Sequence, residues 1–133
     1  MRYPATLLAA CLVLVSSCTK RKARLEGKWI SQSENEYHYW KSGILSRSFE
    51  PFPIVGKIRM EITADSIFYL DNKSLQHPWY LRRSYTRQDT MIFIHGNDWK
   101  LHIKRLTADT LTLVVRGKPY KDGRVDVGYT FTH

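Results

Sequence analysis

The sequence has very few cysteines, and none lies beyond residue 18. Its two cysteines, Cys11 and Cys18, both fall near the start of a chain of 133 residues. The rest of the chain therefore has no disulfide of its own, no thiolate ligands for a metal ion and no cysteine nucleophile. These absences exclude three common kinds of functional site from residue 19 onward.

Sequence patterns typical of catalytic sites are also missing. The chain has no glycine-rich phosphate-binding loop and no nucleophile-elbow spacing around a serine. Its five histidines are dispersed, and we expect the nearest pair, His95 and His102, to fall on different strands. The sequence therefore predicts no enzyme, no metal site and no cofactor. An enzyme assembled from residues distant in sequence is the alternative.

Long apolar runs are absent, and the chain has only a short one near its start. Residues 5–15 are almost entirely apolar, a single charge at Arg2 precedes them, and Ser16 and Ser17 follow. The run is shorter than the roughly 20 residues that a membrane-spanning helix needs. A positive start, a short apolar segment and small residues before a cleavage point are typical of a secretory signal.

The residues around the cleavage point, Val15-Ser16-Ser17-Cys18, resemble the lipobox of bacterial lipoproteins. The resemblance implies that a diacylglyceryl group is attached to Cys18 and that residues 1–17 are removed as a signal peptide. An ordinary signal peptide is the alternative. Residues 18–24 then form a lipidated tether, and residues 25–133 are long enough for one domain but not for two.

Positive charge is concentrated in this tether. Four bases lie within residues 18–24, namely Lys20, Arg21, Lys22 and Arg24, whereas the chain from Leu25 onward carries 16 bases against 12 acids, a net charge of +4. Each base near anionic headgroups contributes about 1 kcal/mol to membrane binding, so we expect a membrane partner and no nucleic acid. Thr19 is not the aspartate that retains some bacterial lipoproteins in the inner membrane. The resemblance therefore implies an outer-membrane location facing the periplasm.

Alternation of apolar and polar residues predicts strands through most of the domain. In residues 56–63, the side chains of Ile58, Met60 and Ile62 share one face, and charged residues occupy the other. The same reasoning predicts further strands at residues 25–32, 66–70, 79–87, 91–95, 99–104, 111–116 and 125–132, with one or two more within residues 37–49. The fold class is therefore all-β, with about eight strands.

Short turns separate these strands. Residues 63–66, 87–90 and 107–110 each contain an aspartate followed by Ser or Thr, a pair that favours a tight turn by bonding its own backbone. Consecutive hairpins predict an antiparallel up-and-down meander, closed or nearly closed into a barrel because closure removes exposed strand edges. Residues 50–53, which hold two prolines, and residues 117–123 are predicted loops.

The first predicted strand contains Gly27-Lys28-Trp29. A Gly-x-Trp motif on the first strand of a short, lipid-anchored, all-β chain resembles the lipocalin-like domains of bacterial lipoproteins. The resemblance covers residues 25–133 and implies that Gly27 and Trp29 close one end of the barrel. It also implies that Trp29 packs against an arginine near the last strand, for which Arg116 is the first candidate and Arg124 the second.

Aromatic residues make up 13% of the chain, enough to fill a core or to line a cavity. Strand parity gives six candidate cavity residues: Met60, Trp79, Leu81, Tyr85, Ile92 and Ile94. We therefore expect a barrel that binds a small hydrophobic or amphipathic ligand. Eight strands also suit a solid barrel, and the alternative is a non-enzymatic accessory module that docks an envelope protein through its outer face.

We predict that Cys18→Ser abolishes membrane attachment and leaves the domain folded, because Cys18 is the only cysteine after the signal segment. Fractionation of cells, followed by detergent phase partitioning, measures the attachment. A serine variant that still partitions with the membrane would contradict the lipobox interpretation.

Overall fold

The computed structural model describes residues 23–74, 76–96 and 98–133. Cys18, the predicted signal peptide and most of the predicted tether lie outside these residues. The described residues form ten strands: β1 Gly27–Trp40, β2 Leu45–Ser48, β3 Phe52–Pro53, β4 Ile58–Ile62, β5 Ser66–Asp71, β6 Trp79–Gln88, β7 Met91–Ile94, β8 Lys100–Leu106, β9 Thr110–Val115 and β10 Gly123–Thr132. No helix long and apolar enough to cross a membrane occurs among them.

Eight of these strands form a closed, antiparallel, up-and-down barrel, which confirms the predicted fold class. Strands β4 to β10 follow one another in sequence order, and β1 completes the ring by pairing with both β4 and β10. Strands β2 and β3 lie outside the ring, where each pairs with β1.

The alternation seen in the sequence determines which side chains fill the barrel. In β4, Ile58, Met60 and Ile62 are buried, while Arg59 and Glu61 are exposed. Because successive side chains of a strand point to opposite faces, this pattern gives β4 one apolar and one charged face. The core shared by all eight strands is correspondingly apolar and extends from Leu25 to Phe131.

Strand β1 is much longer than residues 25–32, the strand predicted there. Its register with β10 shifts between Ser31 and Ser33, which marks a β-bulge. Ser31 is fully buried at this bulge; its hydroxyl donates to the Ile54 carbonyl at 2.7 Å and accepts the Ile58 amide at 2.9 Å. Beyond the bulge, the polar residues 33–36 continue the strand because they pair with β10.

The prediction of a loop at residues 50–53 is wrong for Phe52 and Pro53. These two residues form β3 and pair with Glu34 and Ser33 of β1. Proline is tolerated here because β3 is a two-residue edge strand, where a missing amide donor removes no ladder hydrogen bond on the outer side.

The predicted turns lie where expected, but threonine makes the backbone bonds in two of them. Thr63 Oγ1 accepts the Ser66 amide at 3.1 Å, and Thr107 Oγ1 accepts the Thr110 amide at 3.0 Å. The third turn uses Asp89 in the left-handed region, at φ 54°, a conformation that aspartate adopts more readily than most residues.

One end of the barrel is closed around Trp29. Its side chain is 0% exposed, its Nε1 donates to the Leu25 carbonyl at 2.8 Å, and its ring stacks on His133 with 3.8 Å between centroids. Gly27 is required beside them, because its φ is +145° and a Cβ there would lie 2.7 Å from His133. We call this the closed end.

The arginine that the resemblance places against Trp29 lies elsewhere. Strand β9 begins near the closed end, where Leu111 pairs with Phe131. It then runs toward the opposite end of the barrel, so Arg116, which follows β9, lies far from Trp29. It lines a groove on the outer surface together with Tyr39. His133 occupies the place against Trp29 that Arg116 was expected to fill.

We predict that Trp29→Ala lowers the free energy of unfolding by about 3–5 kcal/mol, the range for truncating a buried large aromatic. Trp40→Ala is the matched control, since Trp40 is 58% exposed and its loss should cost less than about 1 kcal/mol. Urea unfolding measures both variants. Equal midpoints for parent and Trp29→Ala would contradict the closing role of Trp29.

Candidate functional site

The barrel encloses an apolar cavity of about 180 Å³. Most of its walls come from the inward faces of seven strands, β4 to β10. The lining residues are Met60, Ile67, Tyr69, Leu81, Ile94, Trp99, Leu101, Leu113, Val115, Gly117, Val125, Val127, Tyr129 and Phe131. The barrel is therefore partly hollow toward the end opposite Trp29.

Three of the six candidate cavity residues, Met60, Leu81 and Ile94, line this cavity. Tyr85 and Ile92 are buried in the core without lining it. The Tyr85 hydroxyl donates to the Thr63 carbonyl at 2.7 Å, which places this side chain at the closed end. Strand parity predicts which face a side chain occupies but not its position along the barrel axis. That position separates the cavity-lining residues from Tyr85 and Ile92, which fill the core.

Trp79, the sixth candidate, belongs to an aromatic cluster at the open end. Its ring lies 5.4 Å from Tyr69 and 5.1 Å from Trp99, centroid to centroid. Trp99 both lines the cavity and is 37% exposed. The cavity therefore reaches the surface beside this cluster, which we call the aromatic mouth (Tyr69, Trp79 and Trp99).

The residues of β9 and β10 that line the cavity were not among the candidates. Leu113 and Val115 of β9 and Val127 and Tyr129 of β10 all contribute to the wall. The signal was present in the sequence, since both segments alternate regularly. Only the pairing of β10 with β1, however, places β10 across the barrel from β5 and β6.

A polar cluster adjoins the apolar wall. The Tyr69 hydroxyl donates to Asp71 Oδ2 at 3.4 Å, while Lys73 Nζ donates to Glu34 Oε2 at 3.2 Å and to the Tyr129 hydroxyl at 3.5 Å. Lys73 also forms an ion pair with Asp71 at 3.7 Å. Two tyrosines thus present rings to the cavity and hydroxyls to charged groups, an arrangement that suits an amphipathic ligand.

Burial controls the ionisation of both tyrosines. Burial first, and then the negative charge of Asp71, raises the pKa of Tyr69 far above its ordinary value. Burial also raises the pKa of Tyr129, although the neighbouring Lys73 opposes this shift. At neutral pH both hydroxyls therefore keep their protons and remain hydrogen-bond donors.

The closest approach to a nucleophile and base pair lies on the outer surface. Ser84 Oγ is 2.9 Å from Nδ1 of His95, and Thr86 Oγ1 is 2.6 Å from Nε2. In a catalytic triad a carboxylate orients the imidazole, whereas here the second partner is a neutral hydroxyl. Within the described ranges, no group of three His, Cys, Asp or Glu residues is placed to hold a metal ion.

The comparisons with known proteins found no matching family model, no matching curated protein and no matching solved structure.

We predict that Tyr69→Phe reduces the loss of stability at alkaline pH. A tyrosine whose pKa is raised on folding stabilises the protein fully below its unfolded pKa of about 10, and this stability is lost as the pH rises above that value. Chemical unfolding at pH values on either side of 10 gives the slope. Tyr80→Phe, at an exposed position, is the matched control and should keep the parent's slope. Equal slopes for parent and Tyr69→Phe would contradict the assignment.

Proposed function

We propose that this protein is a membrane-anchored envelope lipoprotein whose lipocalin-like barrel binds a small hydrophobic or amphipathic ligand. The observation that carries the proposal is the apolar cavity, which opens at the aromatic mouth and has two protonated tyrosine hydroxyls at its polar edge. An apolar pocket with a few convergent polar groups is the usual form of a small-molecule site.

The size of the cavity limits what it accepts. An apolar protein cavity of about 150 Å³ holds a benzene molecule, and this one measures about 180 Å³. We therefore propose that it takes a single ring or a short stretch of acyl chain. The rest of a longer amphiphile would lie along the surfaces of Trp79 and Trp99, with its polar group near Tyr69 and Lys73.

The proposed anchor suits this site. Leu25 packs at the closed end, where it accepts a hydrogen bond from Trp29, and the cavity opens at the other end. A tether of residues 18–24 would extend no more than about 25 Å, from the closed end. Such a tether would limit the distance of the closed end from the membrane but not the orientation of the barrel, so the aromatic mouth would stay accessible from the periplasm.

We propose binding without catalysis and without a cofactor. The polar groups that reach the cavity are tyrosine hydroxyls already committed to Asp71 and Lys73, and neither is activated as a nucleophile at neutral pH, because burial raises the pKa of each.

A docking module for an envelope protein is the second candidate, and strand β2 favours it. Among the described strands, β2 is an edge strand: it pairs only with β1, so its other edge is unpaired. All four of its residues, Leu45–Ser48, are exposed. An extended segment of another protein is able to pair with such an edge.

We predict that the purified protein takes up an environment-sensitive apolar dye at micromolar concentration, that fatty acids compete for the site, and that ligand raises the thermal midpoint. Val115→Phe should abolish uptake because Val115 lines the cavity and the added ring fills it. Val55→Phe is the matched control, since Val55 is exposed. Failure of the folded parent to take up any dye would leave the docking module.

A further inference from the structure

The outer face of the barrel carries a second concave region, a groove of about 440 Å³. Its walls come from β1 and from β7 to β10, and it lies on the opposite side of the sheet from the cavity. The residues that line it are Tyr37, Tyr39, Met91, Lys100, His102, Lys104, Val114, Arg116, Arg124 and Asp126. We call it the basic groove.

The basic groove concentrates charge. Four permanent cations and one carboxylate give it a net charge of +3 with His102 neutral, compared with +4 for the whole chain from Leu25 onward. The carboxylate, Asp126, is already satisfied by Arg124 Nε at 3.1 Å and the Gly117 amide at 3.0 Å. Within the part of the chain that the structure describes, no carboxylate lies within ion-pair distance of Lys100, Lys104 or Arg116.

Tyrosine rings hold two of these cations in place. Lys104 Nζ lies 4.2 Å from the centroid of Tyr37, and the guanidinium of Arg124 lies 4.2 Å from that of Tyr39. Tyr37 lies across Gly128, where a Cβ would come within 2.9 Å of its ring. The floor of the groove is thus an ordered aromatic surface, and its cations are directed by cation–π contacts.

An exposed apolar hairpin adjoins this groove. Strand β1 continues from Tyr39 to Trp40 and turns into β2; the Trp40 amide donates to the Ile44 carbonyl at 2.9 Å, and the Lys41 amide donates to the Asp122 carbonyl at 3.0 Å. Trp40 and Ile44 are 58% and 66% exposed. Exposed large apolar side chains grouped in this way mark an interaction surface.

Together, unpaired cations beside exposed Trp and Ile side chains match a bilayer surface. Anionic headgroups attract basic residues, tryptophan favours the interfacial layer, and long basic side chains reach the phosphates while their stems lie on apolar groups. A free phosphate ion would satisfy the cations but would leave the hairpin in water.

We propose that the basic groove and the β1–β2 hairpin form a docking surface for an anionic phospholipid membrane. Lys100, Lys104 and Arg116 contact phosphate groups, and Trp40 and Ile44 enter the interfacial layer. This proposal does not depend on ligand binding in the cavity or on the lipid at Cys18.

The test is cosedimentation with vesicles of the chain from Leu25, which omits the basic tether and keeps the buried Leu25 and every described strand. Vesicles of phosphatidylcholine are compared with an equal mixture of phosphatidylcholine and phosphatidylglycerol. We expect binding to the anionic vesicles, weakened by salt. Lys100→Gln with Arg116→Gln should lower the affinity roughly 25-fold, because each base near an anionic surface contributes about fivefold. Trp40→Ser should lower it about tenfold.

Two controls match these changes elsewhere on the surface. Arg82→Gln with Arg83→Gln removes the same charge from exposed positions of β6, and Tyr80→Ser removes an exposed aromatic. Both should change the affinity less than about threefold. Thermal unfolding confirms that every variant is folded.

Several outcomes would overturn the proposal. They are absence of binding to anionic vesicles at low salt, equal losses in the control variants, and no effect of Trp40→Ser. Displacement by inorganic phosphate would instead assign the groove to a free anion. Tighter binding of polyglutamate than of vesicles would assign it to an acidic protein.

Discussion

Strands β1 and β10, the first and last of the described strands, are hydrogen bonded to each other from the Ile30–Thr132 pair to the Trp40–Gly123 pair. This contact joins segments about 90 residues apart and converts an open meander into a closed ring, which leaves the ring without unpaired edges. The closed end depends on it, because it brings His133 onto Trp29. The cavity also depends on it, because Val127 and Tyr129 of β10 supply one wall.

The bulge at Ser31 divides β1 into two parts with different neighbouring strands. Before the bulge, β1 pairs with β4. Beyond it, β1 stays paired with β10 along one edge, while β3 and then β2 replace β4 along the other. The part of β1 beyond the bulge places Glu34 within hydrogen-bonding distance of Lys73. It also places Tyr37 and Tyr39 on the outer face of the barrel. The polar cluster and the basic groove both arise because β1 continues well beyond its pairing with β4.

The sequence predicted those parts of the fold in which the alternation is regular and local. Strands β4 and β9 follow directly from it, because each has one mainly apolar face and is bounded by turns or loops. The full length of β1 was missed because the bulge interrupts the alternation and because residues 33–36, Ser-Glu-Asn-Glu, include no apolar side chain. The strand is held there by pairing with β10, a long-range cause that no local pattern shows.

The sequence also predicted only part of the candidate site. Parity correctly assigns Met60, Leu81 and Ile94 to the inner face, but Tyr85 and Ile92 share that face and fill the core instead. The difference depends on strand tilt and on how far each strand is displaced along its neighbour, quantities set by closure of the ring. The partner of Trp29 was missed for the same reason, since only closure brings the last residue to the first strand.

The cavity and the basic groove are two faces of one wall. Val114 and Val115 are neighbours in β9, yet Val114 lines the groove and Val115 the cavity. In β10, Arg124 and Val125 divide in the same way. Because close-packed interiors transmit small displacements, a side chain enlarged inside the barrel also shifts the strands that hold the outer cations. The two sites are therefore chemically distinct but mechanically joined, and a variant of either one has to be measured in both binding assays.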